Sequence, residues 1–218
     1  MLDYGKKTYI MGILNVTPDS FSDGGDYTNI DIAVNHAKEM IELGADMIDL
    51  GGESTRPGHK FVSAEEEISR IVPVIKRLKE EINVPISIDT YKSEVAEEAL
   101  KLGVDMVNDV WGLTYDGKMA DVVAKYDGEV CIMHNQEGTT YDKDIIESIK
   151  EFLQKSIDMA LEAGVKKEKI VLDPGIGFGK TYEQNIEVLN RLGELRDLGY
   201  PVLLGTSRKS VLGKILEN

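Results

Sequence analysis

The chain has 218 residues, of which 25 are Lys or Arg and 39 are Asp or Glu, so its formal net charge is −14. This length fits one domain, or two at most, and an apolar fraction of 42% is typical of a globular protein. The acidic excess argues against broad binding to nucleic acids or to anionic membranes. No apolar run approaches the ~20 residues that span a bilayer, and the single cysteine excludes an internal disulfide framework. We therefore expect a cytoplasmic protein.

Seven short runs rich in β-branched residues alternate along the chain with seven segments of helical periodicity. The predicted strands cover residues 8–16, 45–50, 85–89, 105–110, 129–134, 169–173 and 201–205. The predicted helices cover residues 31–43, 63–82, 92–102, 117–126, 144–163, 181–198 and the segment from 209 onward. Glycines follow four of these helices, where a residue with positive φ commonly ends a helix: Gly44, Gly103, Gly164 and Gly199. Ser63 and Glu66 have the spacing of a capping box.

The strict alternation of strands and helices predicts right-handed crossovers and a parallel sheet. Two architectures fit this pattern, a doubly wound open sheet and a (β/α)8 barrel. A barrel commonly needs about 250 residues. Seven units in 218 residues therefore predict a TIM barrel without its eighth βα unit, as a single domain over residues 1–218.

Polar residues gather where the predicted strands end, which is where ligands bind in both architectures. Asp89, Asn108 and Asp173 each lie at or near the end of a strand. Their side chains suit a flat heterocycle with an amidine-like N–H edge, because a carboxylate can accept two parallel hydrogen bonds from such an edge. Cationic side chains that could bind an anionic group follow other strands: Arg56, Lys180, Arg208 and Lys209.

Several of these segments resemble the dihydropteroate synthase family. The most specific is GILNVTPDSFSDGG, from Gly12 to Gly25, and further matches follow in family order at 49–58, 87–90, 107–112, 133–135, 172–180 and 205–210. The resemblance implies a (β/α)8 barrel of folate biosynthesis, assembled as a homodimer. Such an enzyme joins 6-hydroxymethyl-7,8-dihydropterin diphosphate to p-aminobenzoate and releases diphosphate, with Mg²⁺ present.

The resemblance also implies roles for individual residues. The pterin pocket would consist of Asp89, Asn108, Met133, Asp173 and Lys209. The p-aminobenzoate site would consist of Phe21, Thr55, Arg56, Pro57, Phe178 and Ser210, with a contribution from Lys209. Asn15 would contact the diphosphate and its Mg²⁺, while Asp23, Asp89 and Lys209 would act in catalysis.

One departure from the family pattern concerns an eighth strand with an Arg-x-His motif, which does not occur in this sequence. This departure leaves open the alternative that the chain is a pterin-binding protein without catalytic activity. A pterin-dependent methyltransferase is a further alternative, because related barrels bind methyl-tetrahydrofolate. The segments 54–58 and 207–210 favour the synthase.

Other polar residues have simpler interpretations. Lys180 fits a solvated helix start as well as it fits an anion ligand. His134 is interpreted as a buried histidine with satisfied hydrogen bonds, and Cys131 as a small core residue. The acidic run 65–67 is explained by a helix start, where negative charge complements the helix dipole.

Overall fold

The structure is a computed structural model that describes residues 2–17, 26–54, 61–207, 209 and 213, with the backbone alone at 26–28. Its strands are β1 Met11–Asn15, β2 Met47–Gly51, β3 Ile86–Asp89, β4 Met106–Asp109, β5 Glu129–Met133 and β6 Ile170–Asp173. Its α-helices are α1 Asp26–Glu42, α2 Ala64–Glu81, α3 Ser93–Lys101, α4 Met119–Lys125, α5 Ile145–Glu162 and α6 Tyr182–Asn190. Two 3-10 helices cover Lys167–Lys169 and Leu192–Leu198. Within these ranges no helix is long and apolar enough to cross a membrane.

The six strands form one parallel sheet in the order β1-β2-β3-β4-β5-β6. A doubly wound sheet reverses its strand order at a switch point, whereas a (β/α) barrel keeps the order of the chain. The observed order therefore decides between the two architectures in favour of the barrel.

The predicted strand 201–205 lies beside β6 but pairs with it only briefly. Val202 forms a single parallel bridge with Leu172. The Leu172 amide donates to Pro201 O at 2.9 Å, and the Leu203 amide donates to Leu172 O at 2.8 Å. These bonds bring the segment that leads to Lys209 to the edge of β6.

Side chains alternate between the two faces of the sheet, as they do in any β-strand. Residues such as Ile48, Leu50 and Ile132 point outward and join the helices in the main core. The inward-pointing residues form two layers. The lower layer is apolar and comprises Met47, Met106, Cys131 and Val171. Residues two positions further along the same strands form the upper layer: Asp49, Asn108, Met133 and Asp173.

The lower end of the barrel, at the amino ends of the strands, is covered by the first residues of the chain. Leu2 and Tyr4 pack against the lower apolar layer. The Tyr4 hydroxyl donates to Glu129 Oε2 at 2.7 Å, at the start of β5. The site is therefore expected at the opposite end, which we call the mouth.

Several predicted features differ from the structure, and α1 begins at Asp26 rather than at residue 31. The predicted helix 181–198 is wrong as a continuous α-helix, because α6 ends at Asn190 and a 3-10 helix follows. Strand β1 is shorter than the predicted run 8–16. Ser63 accepts from the Glu66 amide at 3.2 Å, but the Glu66 side chain pairs with Arg70, so only half of the predicted capping box forms. A helix from 209 onward lies outside the described residues except for Lys209 and Gly213.

Candidate active site

A cavity of about 1080 Å³ runs through the barrel, from Leu2 and Tyr4 at the lower end to Asp173 and Lys209 at the mouth. It is lined by seven of the residues predicted for the site: Asn15, Asp89, Asn108, Met133, Asp173, Phe178 and Lys209. The parallel register explains this convergence, because Gly51 of β2 pairs with Asp89 and Asp89 pairs with Asn108. The prediction that the carboxylates and the amide share one cavity is confirmed in the structure.

Asp173 and Lys209 form the charged centre of this cavity. A Cβ atom added at Gly205 would lie 3.5 Å from Asp173 Oδ2 and 3.6 Å from Lys209 Nζ, so both groups approach the backbone of the last segment. Burial raises the pKa of Asp173 to about 6, although the Lys209 charge and the Gly175 amide oppose the rise. Burial also lowers the pKa of Lys209, against the attraction of Asp173 and Asp89.

Asp49 is a cavity residue that our sequence analysis did not assign to the site. It is buried in β2, and its Oδ2 accepts from Asn108 Nδ2 at 3.0 Å. Burial raises the pKa of Asp49, while contacts with Ser87 and Asn108 oppose the rise. Period-two alternation from Met47 would have directed Asp49 inward, so the signal was present in the sequence.

The loop that follows β6 supplies an aromatic wall to the cavity. Phe178 packs with Met133 and Tyr91 at the mouth. The Lys209 ammonium lies 4.6 Å from the centre of the Phe178 ring, within the range of a cation–π contact. Lys209 also donates to the carbonyl of Ile176 in the same loop. Lys209 is thus held between an aromatic face, a carbonyl and Asp173.

The environment of the Lys180 side chain differs from both predictions made for this residue. Its side chain is buried, and its Nζ lies 2.9 Å from each of three acceptors: Gly175 O, Phe178 O and His134 Nδ1. It is neither a solvated helix start nor an anion ligand of the cavity. The prediction that His134 is a satisfied buried histidine is confirmed, and burial together with the Lys180 charge lowers the pKa of His134 to about 3. Cys131 is buried in the lower layer as predicted.

A buried ion cluster lies behind the end of β2. Lys92 donates to both Glu53 and Glu67, and all three side chains are at most 5% exposed. Burial opposes ionisation of both acids. For Glu53 the contacts with Lys92 outweigh burial and lower the pKa of the carboxyl. For Glu67 burial outweighs the contact with Lys92 and raises the pKa. The helix-start interpretation of the run 65–67 therefore covers only part of the role of Glu67. Glu53 Oε1 also accepts from the Val62 amide at 3.2 Å.

Seven predicted candidate residues lie outside the described residues: Phe21, Asp23, Thr55, Arg56, Pro57, Arg208 and Ser210. Their roles stay predictions. Among the residues that the structure does describe, no group of three or more His, Cys, Asp or Glu side chains is arranged to hold a metal ion.

Fold and site together define a class of protein. The chain is an α/β barrel enzyme whose mouth combines buried carboxylates and an amide, suited to a nitrogen heterocycle, with a lysine suited to an anion. The pattern of the family described as "Pterin binding enzyme" matches residues 11–218, and the chain belongs to this family.

Similar proteins carry one name. The dihydropteroate synthase of Clostridium beijerinckii is 59% identical over 97% of this chain and 78% of its own length. That of Bacillus subtilis is 53% identical over 99% of this chain and 75% of its own length.

Two solved structures extend the comparison to ligands. Dihydropteroate synthase from Clostridium difficile, crystallised in the presence of pteroic acid, superposes with a TM-score of 0.97 at 73% identity, covering 100% of this chain and 83% of that chain. The Xanthomonas albilineans enzyme with 4-aminobenzoic acid superposes with a TM-score of 0.92 at 42% identity, covering 98% of this chain and 78% of that chain.

Proposed function

We propose that this chain condenses 6-hydroxymethyl-7,8-dihydropterin diphosphate with p-aminobenzoate to form 7,8-dihydropteroate and diphosphate. The observation that carries the proposal is the convergence of Asp89, Asn108, Asp173 and Lys209 on one cavity. The names of the relatives and of the solved structures support the same transferase activity.

The pterin ring is proposed to lie on the upper layer, with Met133 beneath it. A buried carboxylate at Asp173 would accept two N–H donors from the amidine-like edge of the ring, which is a strong, charge-assisted contact. Asn108 offers an acceptor and a donor, and Asp49 holds the donor end of its amide. The carboxylate of Asp89, in the same cavity, would face the reacting side of the ring.

The reaction is proposed to begin with cleavage of the C–O bond between the exocyclic methylene and the diphosphate. The electron pair leaves with the diphosphate, and the electron-rich dihydropterin delocalises the positive charge. The carboxylates of Asp89 and Asp173 stabilise this charge, and Lys209 stabilises the departing anion. The neutral amino group of p-aminobenzoate then forms the C–N bond and loses a proton to solvent or to diphosphate, without a strong base.

The p-aminobenzoate is proposed to approach along Phe178, whose ring forms the side of the cavity next to Lys209. Its carboxylate would be bound by residues near the mouth, and Arg56 and Ser210 are candidates from the sequence. Orientation of the amine against the methylene carbon is the contribution that a preformed wall can make to the rate.

Mg²⁺ fits the donors of this cavity, because Mg²⁺ is commonly held by one or two protein oxygens together with substrate phosphates and waters. Asn15 would hold it: its amide oxygen lies at the end of β1, 3.0 Å from where a Cβ at Gly51 would stand, in a cradle that glycine leaves open. When bound, Mg²⁺ would neutralise charge on the departing diphosphate. Asn15 itself orients the diphosphate end of the substrate over β1.

The decisive experiment mixes the purified chain with both substrates and measures diphosphate release together with dihydropteroate formation. Matched release of both products supports the proposal. Pterin binding without turnover would favour a binding protein, and methyl transfer to a corrinoid acceptor would favour the methyltransferase. Full activity in excess chelator would contradict the role of Mg²⁺ and leave the other assignments intact. The homodimer and the cytoplasmic location stay predictions.

A further inference from the structure

Lys180 is a buried cation that the proposed reaction does not use, and burial lowers its pKa to about 7 against the attraction of Asp173. It follows the loop after β6 and is 8% exposed, and it is absent from the described lining of the cavity. An ammonium group has three N–H donors. Each donor of Lys180 has one acceptor at 2.9 Å, in Gly175 O, Phe178 O and His134 Nδ1. A buried lysine that bonds two carbonyls of one loop and a histidine at the end of β5 indicates a group that fixes this loop to the sheet.

The backbone conformation of the loop after β6 places the carbonyls of Gly175 and Phe178 next to Lys180. Gly175, Gly177 and Gly179 have φ angles of 69°, 85° and 56°, which residues other than glycine rarely adopt. At Gly175 a Cβ atom would lie 1.9 Å from His134 O, so the loop packs directly on the end of β5. This conformation leaves loop carbonyls facing the protein interior, where an unpaired carbonyl would be costly.

The same loop is held from the cavity side by Lys209. Lys209 donates to Ile176 O and lies over the Phe178 ring, and its Cδ would be 3.1 Å from a Cβ at Gly177. The loop carbonyls therefore bond two lysines: those of Gly175 and Phe178 accept from Lys180, and that of Ile176 accepts from Lys209. A displacement of this loop would move the Phe178 wall and the Lys209 ammonium together.

His134 completes the arrangement as a fixed acceptor. Its ring is enclosed by Phe152 at 5.0 Å and Tyr141 at 6.1 Å between ring centres. Because its pKa is lowered to about 3, His134 is neutral at physiological pH, and Nδ1 is free to accept from Lys180. These two rings pack on the imidazole, whose Nδ1 is the third acceptor of Lys180.

We propose that Lys180 is a positioning residue for p-aminobenzoate: its ammonium fixes the loop of residues 174–179 and so keeps the Phe178 wall and Lys209 in place beside Asp173. The inference rests on the proposed function. Lys180 acts through Phe178 and Lys209 and touches neither substrate.

The test replaces Lys180 by methionine, which has a similar shape and no donor. The Lys180→Met variant is expected to lose roughly tenfold to a hundredfold in kcat/KM for p-aminobenzoate, mainly through KM, because a displaced Phe178 wall binds this substrate more weakly in the ground state and in the transition state alike. The matched control is Lys169→Met. Lys169 is also buried and donates to a carbonyl, that of Asp127, but it lies just before β6 at the opposite end of the barrel. This control is expected to lower stability and to leave KM unchanged.

A second readout separates positioning from loss of stability. The groups that face Asp173 are Lys209, Lys180 and the Gly175 amide, and both lysines favour the ionised carboxylate. Removal of the Lys180 charge should therefore raise the pH below which the affinity for a pterin analogue falls. Calorimetry from pH 5 to 7 measures this affinity. Lys169→Met should not raise that pH.

If Lys180→Met does not fold, His134→Phe decides, since it removes one acceptor and keeps the aromatic packing. It is expected to raise KM for p-aminobenzoate in the same direction but by less. The inference is overturned if the wild type is active and Lys180→Met matches Lys169→Met both in KM for p-aminobenzoate and in the pH dependence of pterin-analogue binding. If Lys180→Met does not fold, the same comparison is made with His134→Phe. An inactive wild type would instead overturn the proposed function, and the pterin-binding pH profile would still test the link between Lys180 and Asp173.

Discussion

The amide of Asn108 donates to Asp49 Oδ2 at 3.0 Å across the interior of the barrel, although β3 lies between their two strands. In barrels the inward side chains of alternate strands meet in layers. The bond fixes the orientation of the Asn108 amide, because its Nδ2 is committed to Asp49. Its oxygen and the second N–H of Nδ2 are then left to meet a ligand.

Replacement of Asp49 by asparagine tests this relationship. An amide at position 49 can offer its own N–H to Asn108 and favour a flipped Asn108, which would present a donor where the pterin needs an acceptor. We expect pterin affinity to fall about tenfold, the scale of one hydrogen bond to a charged group. Calorimetry with a pterin analogue measures it. Asp105→Asn, at the amino side of β4, serves as the control, and equal affinities in both variants would contradict the prediction.

Asp173→Asn is expected to weaken pterin binding more strongly, on the order of 10- to 100-fold, because a charge-assisted pair of acceptors becomes one acceptor and one donor. The fold should persist, since the Asp173 Oδ1 that accepts from the Gly175 amide at 2.7 Å can be replaced by the amide oxygen. Affinity and circular dichroism are measured on the same sample. Unchanged affinity would refute the assigned role.

The affinity for the pterin should depend on pH through Asp173. Its pKa is raised to about 6 by burial, and the ionised carboxylate is the form that accepts two N–H donors. Affinity should therefore rise as pH increases toward 6 and level off above it, and Asp173→Asn should abolish this dependence. Folding stability has the opposite sign: between about pH 3.9 and 6 the folded state binds more protons at Asp173 than the unfolded state, so its contribution falls as pH rises.

Lys209→Ala should reduce turnover strongly and leave the melting temperature almost unchanged. The ammonium is placed to stabilise the leaving anion, and removal of one preorganised charged group of this kind commonly costs about 100- to 1,000-fold in kcat. Steady-state kinetics and thermal unfolding are measured side by side. A variant with a near-normal rate would show that the leaving group is stabilised elsewhere.

The buried cluster of Glu53, Lys92 and Glu67 should govern stability. Lys92→Met leaves two buried acids without their cation, which costs about 3–5 kcal/mol in free energy of unfolding. Urea denaturation measures the loss. The double variant with Glu67→Gln should recover part of it, because one acid then carries no charge.

Lys101→Met is the control for this prediction, since the Lys101–Glu98 pair lies on the surface of α3 and its loss should be undetectable. If Lys92→Met unfolds no more readily than Lys101→Met, the cluster carries no net stabilisation.

The strands, the helices and most of the cavity could be predicted because they depend on local patterns. β-Branched runs, helical periodicity and the terminal glycines are read within a few residues, and Gly44, Gly103, Gly164 and Gly199 all have positive φ. The choice between barrel and open sheet depends on which strands pair, and no local pattern encodes that order.

Residues whose role depends on distant partners could not be predicted. Glu67 is one of three consecutive glutamates, and only its contact with Lys92, 25 positions away, distinguishes it from the other two. Lys180 follows a glycine-rich loop, a context equally common for exposed lysines. Its burial depends on His134, which lies 46 positions earlier in the chain.

The position of Cys131 has a practical consequence. It is the only cysteine in the chain, its side chain is completely buried in the lower layer, and burial raises the pKa of its thiol. Since thiolates are the reactive species, Cys131 of the native protein should not react with maleimide reagents. A cysteine introduced at Tyr115, half exposed against Tyr91, would then take up a fluorophore alone. The natural sequence is thus a ready background for labelling at one chosen site.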